Sequence, residues 1–306
     1  MPDIGIVIVT FQSGAEIGPC LDAAVAAAAD IVVVDNASTD DTLRQARARP
    51  VRVIANDTNR GFAAAVNQGI SLLKTGYVLL LNPDARIAGG LDALRAACDL
   101  PGAAGAGGLL LSPDGRPQAG FMVRSLPTPG ALILEAGLLN RLWPGNPVNR
   151  KYRCSDLDAS RRTKVEQPAG AFLMLRREVW AELGGFDESF HPLWFEDVDF
   201  CRRAAGKGYG FYFEPAAVAV HSGAHSIALL ELGRRRIYWY SGMIRYAAKH
   251  FAPLAFRATC AAVLAGALAR AVAGLVLGRG AAGFGVAARM ACRCLVFGWD
   301  ERTVRA

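Results

Sequence analysis

At 306 residues, with 52% hydrophobic and 20% charged side chains, the chain is long and apolar enough for one large or two smaller folded domains, which excludes a disordered protein. The net charge of +7 comes from the C-terminal part, because twelve Lys and Arg but two acids lie from Gly233 onward, whereas the residues before it carry 22 bases and 25 acids. No zinc-finger spacing or RNA-recognition signature accompanies the basic residues, so we expect no nucleic-acid partner.

The cysteines and the first residues of the chain indicate a cellular compartment. Seven cysteines, an odd number without a repeated metal-binding spacing, are typical of reduced thiols in a cytosolic protein. The sequence runs from Met1-Pro2-Asp3 directly into an Ile/Val segment, without the basic region and cleavage site of a secretory signal. We therefore expect a cytoplasmic protein.

The first hundred residues alternate between apolar runs and helical segments. Ile4–Val9 has the composition of a strand buried on both faces, and further strands are expected to begin at Ile31, Val51 and Tyr77. The segments between them predict helices over residues 15–29, 40–48 and 62–73. This alternation predicts an α/β fold with a mostly parallel sheet flanked by helices. In such sheets ligands bind beyond the carboxyl ends of the strands, so the residues there are the first candidates for a site.

Polar residues follow three of these runs. They are Asp35-Asn36 after the second run, Asn59-Arg60-Gly61 before the helix that carries Asn67, and Asn82-Pro83-Asp84 after the fourth run. No GxGxxG follows the first strand and the chain has no GxxxxGK[ST], which disfavours a dinucleotide dehydrogenase and a P-loop NTPase.

The middle of the chain is less regular. Residues 113–168 are rich in Pro, Gly and Arg and weakly periodic, which predicts a variable loop region over the site. Beyond it, residues 170–175 predict a strand, residues 177–183 a short helix and Val218–His221 an extended segment.

The C-terminal tail is both basic and apolar. Only 12 apolar or small residues separate Arg257 from Arg270, fewer than the ~20 that a membrane-spanning helix needs. This composition predicts helices that lie on an anionic membrane surface. A helical hairpin packed on the rest of the protein is the alternative.

Three carboxylates and one histidine follow or flank apolar runs at the predicted sheet edge. They are Asp35, Asp84, Asp197 and His221. A carboxylate pair with a histidine can hold Mg²⁺ or Mn²⁺, and a cation with few protein ligands usually neutralises substrate phosphates. A further carboxylate can act as general base. Together these features predict a transferase that uses an activated nucleotide donor.

Seven stretches make a family resemblance specific. They are IVIVTF at 6–11, VVDNASTD at 33–40, NRGFAAAVNQG at 59–69, LLLNPDA at 79–85, GAFLMLRREVWAELGGFDESF at 170–190, WFEDVDFCRRAAGKGYGFYFEPAAVAVHSGAHS at 194–226 and RRRIYWYSGMIRY at 234–246. In these stretches the chain resembles a family 2 glycosyltransferase of the GT-A fold and is similar to bacterial rhamnosyltransferase-like members. The resemblance covers residues 4–250 in the family's order.

The resemblance implies a domain organisation. A GT-A domain would occupy residues 1–226, with a nucleotide-sugar-binding half over 1–112 and an acceptor and catalytic half over 113–226. The composition of residues 227–306, rather than the resemblance, predicts that they form a helical tail at the membrane surface.

The resemblance also implies the donor site. It places Asp35 against the nucleotide base, although Asp35 could instead cap the following helix. The residues expected beside the nucleotide are Asn36, Asn59, Gly61, Asn67 and Asn82. Asn59 and Gly61 could be turn residues alone. Asp84 and His221 would hold the divalent metal, and the missing first carboxylate in Asn82-Pro83-Asp84 departs from the fuller acidic motif. His225 and Ser226 could touch phosphate.

The catalytic residues come from the Trp194–Asp199 stretch. The resemblance makes Asp197 the base that deprotonates the acceptor hydroxyl, and it places Glu196 against the acceptor. Trp194 could stack on a sugar or pack in the core, and Asp199 is expected to cap or pair. Arg202 and Arg203 are interpreted as a solvated helix face.

The implied reaction is a single displacement with inversion, assisted by Mg²⁺ or Mn²⁺. The subgroup resemblance favours L-rhamnose from a dTDP donor and, as acceptor, a hydroxyl of a cell-surface glycan or polyprenyl-diphosphate-linked saccharide at the cytoplasmic face of the membrane. UDP-galactofuranose, UDP-GlcNAc or another UDP-hexose would use the same residues. The alternative that is not an enzyme is a non-catalytic membrane-bound scaffold.

Overall fold

The structure, a computed structural model, describes residues 3–27, 30–223, 230–278 and 280–300. Two units divide the chain, the first within Met1–Leu126, Arg153–Pro192 and Glu196–Leu229, and the second within Pro127–Tyr152, Leu193–Phe195 and Leu230–Ala306. His225, Ser226 and the boundary predicted at residue 226 lie outside the described residues. The domain division inferred from the sequence stays a prediction.

The helices and strands follow one another along the chain with these bounds. The strands are β1 (Ile4–Thr10), β2 (Asp30–Asp35), β3 (Arg52–Ala55), β4 (Tyr77–Leu81), β5 (Ala85–Gly89), β6 (Ala103–Leu111), β7 (Val123–Arg124), β8 (Thr163–Val165), β9 (Gln167–Pro168), β10 (Phe172–Arg176) and β11 (Gly210–His221). The helices are α1 (Ile17–Ala26), α2 (Thr42–Arg47), α3 (Phe62–Leu72), α4 (Leu91–Cys98), α5 (Pro129–Ala136), α6 (Leu139–Leu142), α7 (Pro147–Tyr152), α8 (Arg177–Glu182), α9 (Glu196–Gly206), α10 (Leu232–His250), α11 (Pro253–Val276) and α12 (Phe284–Phe297).

One large sheet forms the centre of the first unit. Its strand order is β3-β2-β1-β4-β10-β6-β11-β5, and β8 pairs with β11 as well. The strands β1 to β4 run parallel, and β6 and β11 run in the same direction. The strands β5, β8 and β10 run in the opposite direction. The predicted α/β fold, with a mostly parallel sheet flanked by helices, is confirmed.

The strands β1, β2 and β4 are buried on both faces, as the β-branched run of β1 predicted, whereas β3 at one side of the sheet is partly exposed. Ile6 and Ile8 of β1 contribute to one apolar cluster, whereas Val7 and Val9 contribute to the cluster on the other face. Successive side chains of a strand point to opposite faces, so a run without polar residues requires both faces to be covered. This burial fixes the strands, and the polar residues after them are held at the sheet edge.

The antiparallel strand β10 brings two separate parts of the sequence together. Its register pairs Phe172 with Leu81, the last residue of β4. The residues before β10 therefore lie beside the residues that follow β4, and the Asn82 amide donates to the Ala171 carbonyl oxygen at 3.0 Å. At the outer part of the sheet, His221 of β11 pairs with Ala85 of β5.

Helices α5 to α7 belong to the second unit and contradict the prediction that residues 113–168 form a loop. Thr128 caps α5, because its Oγ1 accepts a hydrogen bond from the Ala131 amide at 3.2 Å, and Pro129 occupies the first turn. Thr128-Pro129 is a helix start signal that can be seen in the sequence. The helices were nevertheless not predicted, because they are too short to show a clear period of 3.6 residues.

Helix α11 is longer than the sequence interpretation assumed. The described part of the chain contains one helix that is long and apolar enough to cross a membrane, Pro253–Val276. It continues past Arg270 to Val276, and 28% of its most apolar segment is buried. Length and composition therefore do not exclude a span, and the predicted surface position stays a prediction. Within the second unit α11 packs against α5, α10 and α12.

Arg203 has a structural role that the sequence interpretation missed. Its Nε donates to Oδ2 of the fully buried Asp199 at 2.8 Å, and its two terminal nitrogens donate to the carbonyl oxygens of Leu183 and Gly185, both at 2.7 Å. The expectation of a solvated face is wrong for Arg203, because the Arg203 side chain connects α9 to the residues after α8 by hydrogen bonds. Arg202 is exposed, as expected.

We expect Arg203→Ala to lower the free energy of unfolding by about 3 kcal/mol, because the buried Asp199 carboxylate loses its cation. Urea denaturation measures the change. Arg202→Ala removes the same charge from the next position and should change the stability by at most about 0.5 kcal/mol. Equal effects of the two substitutions would contradict this role for Arg203.

Candidate functional site

The two predicted metal ligands meet at the end of the sheet. Asp84 follows β4, His221 ends β11, and the Ser222 amide donates to the Asp84 carbonyl oxygen at 3.0 Å. Both side chains are buried, and His221 Nε2 lies 3.3 Å from Asp84 Oδ1. Strand pairing therefore brings together two residues that are far apart in the sequence.

Gln118 determines which nitrogen of His221 faces Asp84. The Gln118 amide nitrogen donates to the His221 carbonyl oxygen at 2.8 Å, which leaves Gln118 Oε1 2.9 Å from His221 Nδ1. An amide oxygen is an acceptor only, so this network assigns the proton to Nδ1. Asn82 Nδ2, a donor, lies 3.4 Å from His221 Nε2, which agrees with a lone pair on Nε2. The ring of Phe121 stacks on the imidazole with centroids 5.3 Å apart.

These residues fit a divalent cation. With the proton on Nδ1, an imidazole lone pair and a carboxylate oxygen face each other at 3.3 Å. Two ligands at right angles on an ion with bonds of about 2.1 Å lie about 3.0 Å apart, so one ion can bind both. Among the described residues there is no group of three or more His, Cys, Asp or Glu for a metal. Asp84 and His221 would therefore hold an ion that takes its other ligands from water or substrate.

Asp197 is fixed at the start of α9 by donors from three directions. Its Oδ2 accepts from the Gly170 amide at 3.1 Å and from Gln167 Nε2 at 3.2 Å, and its Oδ1 accepts from the Val198 amide at 2.8 Å. Burial raises the pKa of Asp197, and the two amides and the charge of Arg124 oppose this effect. The arrangement suits a general base, since a raised pKa increases proton affinity.

Asp35 and Asn36 organise the turn after β2. Asp35 is fully buried; its Oδ1 accepts from Thr10 Oγ1 at 2.8 Å and from Ser38 Oγ at 2.6 Å, and its Oδ2 accepts from the Ser38 amide at 2.9 Å. These bonds fix the turn rather than cap a helix, because α2 begins only at Thr42. Asn36 donates to the Gly61 carbonyl oxygen at 3.2 Å. Their contacts with a nucleotide stay predictions.

Gly61 allows a close approach of two chain segments. Its φ of 84° lies in the left-handed region, and a Cβ there would lie 2.7 Å from His191 Nδ1. The amide of Phe62, the first residue of α3, donates to the Pro192 carbonyl oxygen at 2.7 Å. Asn59 Oδ1 accepts from the Gly61 amide at 2.9 Å, which favours the interpretation of Asn59 as a turn residue.

Asn67 holds the Gly184-Gly185 turn. Its Nδ2 donates to the Phe186 carbonyl oxygen at 2.8 Å and to Glu188 Oε1 at 3.0 Å. Its Oδ1 accepts from the Phe186 amide at 2.8 Å and from Trp180 Nε1 at 3.1 Å. All four hydrogen-bonding positions of the amide are filled within the protein. The structure therefore favours a structural role for Asn67 over the predicted nucleotide contact.

The remaining predicted residues, Trp194 and Glu196, belong to different units, because the chain passes from the second unit to the first between Phe195 and Glu196. Glu196 is buried at the first position of α9. Trp194 belongs to the second unit, has a φ of 77° and contacts Trp239 edge to face with ring centroids 5.7 Å apart. This contact favours packing for Trp194 over the predicted sugar stacking. The predicted role of Glu196 stays a prediction.

Comparison with known proteins decides the family. The model of glycosyl transferase family 2 matches residues 5–108, and that of glycosyl transferase family group 2 matches residues 152–299. The N-acetylglucosaminyl-diphospho-decaprenol L-rhamnosyltransferase of Mycobacterium tuberculosis is 33% identical over 216 residues, with coverage of 64% of this chain and 67% of that one. The chain belongs to glycosyltransferase family 2. It is a glycosyltransferase, as the resemblance implied.

Two solved structures share the fold of this glycosyltransferase. A mannosyltransferase from Pyrobaculum calidifontis in complex with GDP-Man and Mn²⁺ has a TM-score of 0.52 and 19% identity, with coverage of 98% of this chain and 88% of that one. GalNAc-T7 with UDP, GalNAc and Mn²⁺ has a TM-score of 0.51 and 15% identity, with coverage of 80% and 51%. Identities this low show the GT-A fold alone.

In this glycosyltransferase we expect Gln118→Ala to weaken Mn²⁺ binding by about tenfold or more, because the imidazole loses the acceptor that holds its proton on Nδ1. Calorimetric titration with Mn²⁺ in the presence of dTDP or UDP measures the effect. Gln118→Glu loses the donor to the His221 carbonyl oxygen but keeps an acceptor opposite Nδ1, so its loss of Mn²⁺ affinity should be smaller than that of Gln118→Ala. Equal losses in the two variants would assign Gln118 to packing alone.

The acid side of the pH–rate profile should depend on Arg124. As the predicted base, Asp197 works ionised, so the rate falls as the pH drops through its raised pKa. Removing the positive charge in Arg124→Gln raises the pKa further, and we expect the midpoint of the acid limb to move to higher pH. Arg116→Gln, which removes an exposed charge, should leave the midpoint in place. A midpoint unchanged in Arg124→Gln would rule out Asp197 as the titrating base.

Proposed function

We propose that this chain is an inverting, metal-dependent glycosyltransferase that transfers L-rhamnose from dTDP-rhamnose to a hydroxyl of a polyprenyl-diphosphate-linked saccharide. The approach of His221 Nε2 to Asp84 Oδ1 at the end of the sheet carries the chemical part of the proposal. The name of the Mycobacterium tuberculosis relative, an L-rhamnosyltransferase of a diphospho-decaprenol, supports the sugar and the acceptor class.

The donor diphosphate would be held at Asp84 and His221. A bound Mg²⁺ or Mn²⁺ supplies positive charge that stabilises the leaving diphosphate. Gln118 keeps the Nε2 lone pair of His221 directed at this position, and Asn82 lies beside the same nitrogen. Asp35 and Asn36 would contact the base of the donor nucleotide, and Asn59 and Gly61 would lie beside the nucleotide.

Asp197 would take the proton from the acceptor hydroxyl while that oxygen attacks the anomeric carbon. The Gly170 and Val198 amides fix both carboxylate oxygens, so the base is oriented before the acceptor arrives. One displacement from the face opposite the leaving group inverts the anomeric centre. In this proposal Asp197 acts as base and no side chain acts as a nucleophile, which corresponds to a reaction with inversion.

The protein would act at the cytoplasmic surface of the membrane. The basic residues after Gly233, the apolar helix α11 and its exposed leucine and valine side chains support this part of the proposal. A saccharide on a polyprenyl diphosphate is itself bound to the membrane by its lipid, so the acceptor and the protein would meet there.

A donor panel with lipid-linked acceptor in vesicles tests the proposal. We expect turnover of dTDP-rhamnose with Mn²⁺ or Mg²⁺, loss of turnover in EDTA and inverted product. Asp197→Asn should lower the rate by about a thousandfold and leave calorimetric dTDP binding within about twofold. Asp92→Asn, the same change at an exposed carboxyl of α4, should keep the rate. Co-sedimentation with the vesicles checks the membrane part.

Two results would change the conclusion in different ways. A preference for UDP-galactofuranose, UDP-GlcNAc or another UDP-hexose would replace the rhamnosyl donor and leave the roles of Asp84, Asp197 and His221 intact. No transfer from any donor, with nucleotide binding preserved, would overturn catalysis and favour a scaffold.

A further inference from the structure

The second unit contains a cavity of about 420 Å³ to which no role has been assigned. Helices α6, α10, α11 and α12 contribute to its wall. The residues that line it, all within the described part of the chain, include Arg141, Arg236 and Arg270 and no acid. Glu135 of α5 is outside the lining and accepts a hydrogen bond from Asn140 at 2.7 Å. The cavity is therefore a cationic site.

Two of the three arginines are held in place by the protein. Arg236 lies over the ring of Phe284, 4.0 Å from its centroid, and donates to the Ala282 carbonyl oxygen at 2.9 Å. Arg270 donates to the carbonyl oxygens of Glu135 and Ala136 at the end of α5. A guanidinium has five N–H donors, so these bonds orient each group and leave donors for a ligand. Burial lowers the pKa of Arg236 because its positive charge is partly removed from water. An anion bound beside the guanidinium would offset this loss of solvation.

The mouth of the cavity is apolar. Leu142 and Leu277 belong to its wall and are 79% and 61% exposed. Exposed apolar side chains continue from them along α11 and after α6, namely Trp143, Val272, Leu275 and Val276. Exposed apolar side chains in the wall of a cationic cavity and next to it in the sequence are complementary to an amphiphile with an anionic head.

We propose that this cavity binds the isoprenoid diphosphate part of the lipid-linked acceptor. The arginines contact the diphosphate oxygens, and the side chains at the mouth contact the isoprenoid chain. Three guanidinium groups match the two or three charges of a diphosphate better than the single charge of a phospholipid phosphodiester. The inference rests on the proposed function for the acceptor class and adds the site that recognises its lipid.

Calorimetric binding of farnesyl diphosphate to the full chain tests the site. EDTA is present, so that the diphosphate is not drawn to a metal at Asp84 and His221. We expect farnesyl diphosphate to bind at least tenfold more tightly than inorganic pyrophosphate or farnesol, because each of those lacks one half of the amphiphile. Equal affinity for pyrophosphate would reduce the cavity to an anion site and overturn the lipid assignment.

Matched variants locate the binding. Arg141→Gln and Arg236→Gln should each weaken farnesyl diphosphate binding about tenfold. Arg234→Gln on α10 and Arg257→Gln on α11 remove the same charge outside the lining and should stay within twofold. Ala273→Phe fills the cavity without a change in charge and should abolish binding. Arg141 and Ala273 are exposed, so these two variants decide the result if Arg236→Gln unfolds.

The outcomes separate this inference from the proposed function. Equal losses in the cavity and control variants would indicate general attraction to basic residues and overturn the inference, as would unchanged binding in Ala273→Phe. Transfer to a lipid-linked acceptor with an unchanged acceptor KM in Arg141→Gln would also overturn it and leave the function standing. Cavity-dependent binding of farnesyl diphosphate without transfer from any donor would overturn the function alone.

Discussion

The antiparallel pairing of β10 with β4 is the contact on which the candidate site depends. It places the segment that ends at Ala171 beside Asn82, so the Gly170 amide that orients Asp197 lies near the end of the strand that leads to Asp84. If β10 ran parallel to β4, its C-terminal end would lie beside Asn82 instead of its N-terminal end. The direction of one strand thus brings the predicted base Asp197 and the predicted metal ligand Asp84, from distant parts of the sequence, to one end of the sheet.

The sequence predicted what depends on local pattern. Burial of β1 on both faces follows from its apolar run. The family motifs pointed to Asp84 and His221, and the strands bring His221 Nε2 to 3.3 Å from Asp84 Oδ1. Gln118 could not be found this way, because it lies in an aperiodic segment and acts through a contact with a residue 103 positions away. Asn67 and Arg203 show the same limit, since a residue type and its spacing do not reveal which carbonyl oxygens it will meet.

The electrostatics of the site set opposite requirements for two side chains. In the proposed metal site His221 would present the lone pair of Nε2, and Gln118 orients the ring for this by accepting a hydrogen bond from Nδ1–H without adding a charge. As the proposed base, Asp197 would bind a proton during the reaction; burial raises its pKa, and the Gly170 and Val198 amides oppose this effect. A carboxylate in place of Gln118 would add a negative charge near Asp84, whereas an amide orients the imidazole at no such cost.

Two diphosphates enter the proposed reaction, one on the donor and one on the lipid, and they need different binding chemistry. A divalent cation binds any accessible diphosphate, so a metal at both positions would let the acceptor lipid compete with the donor nucleotide. Arginines bind phosphate oxygens by charge and hydrogen-bond geometry without a metal. The cavity lined by Arg141, Arg236 and Arg270 would hold the lipid diphosphate in the second unit and keep Asp84 and His221 for the leaving group. Metal removal should therefore affect donor binding and leave lipid binding intact.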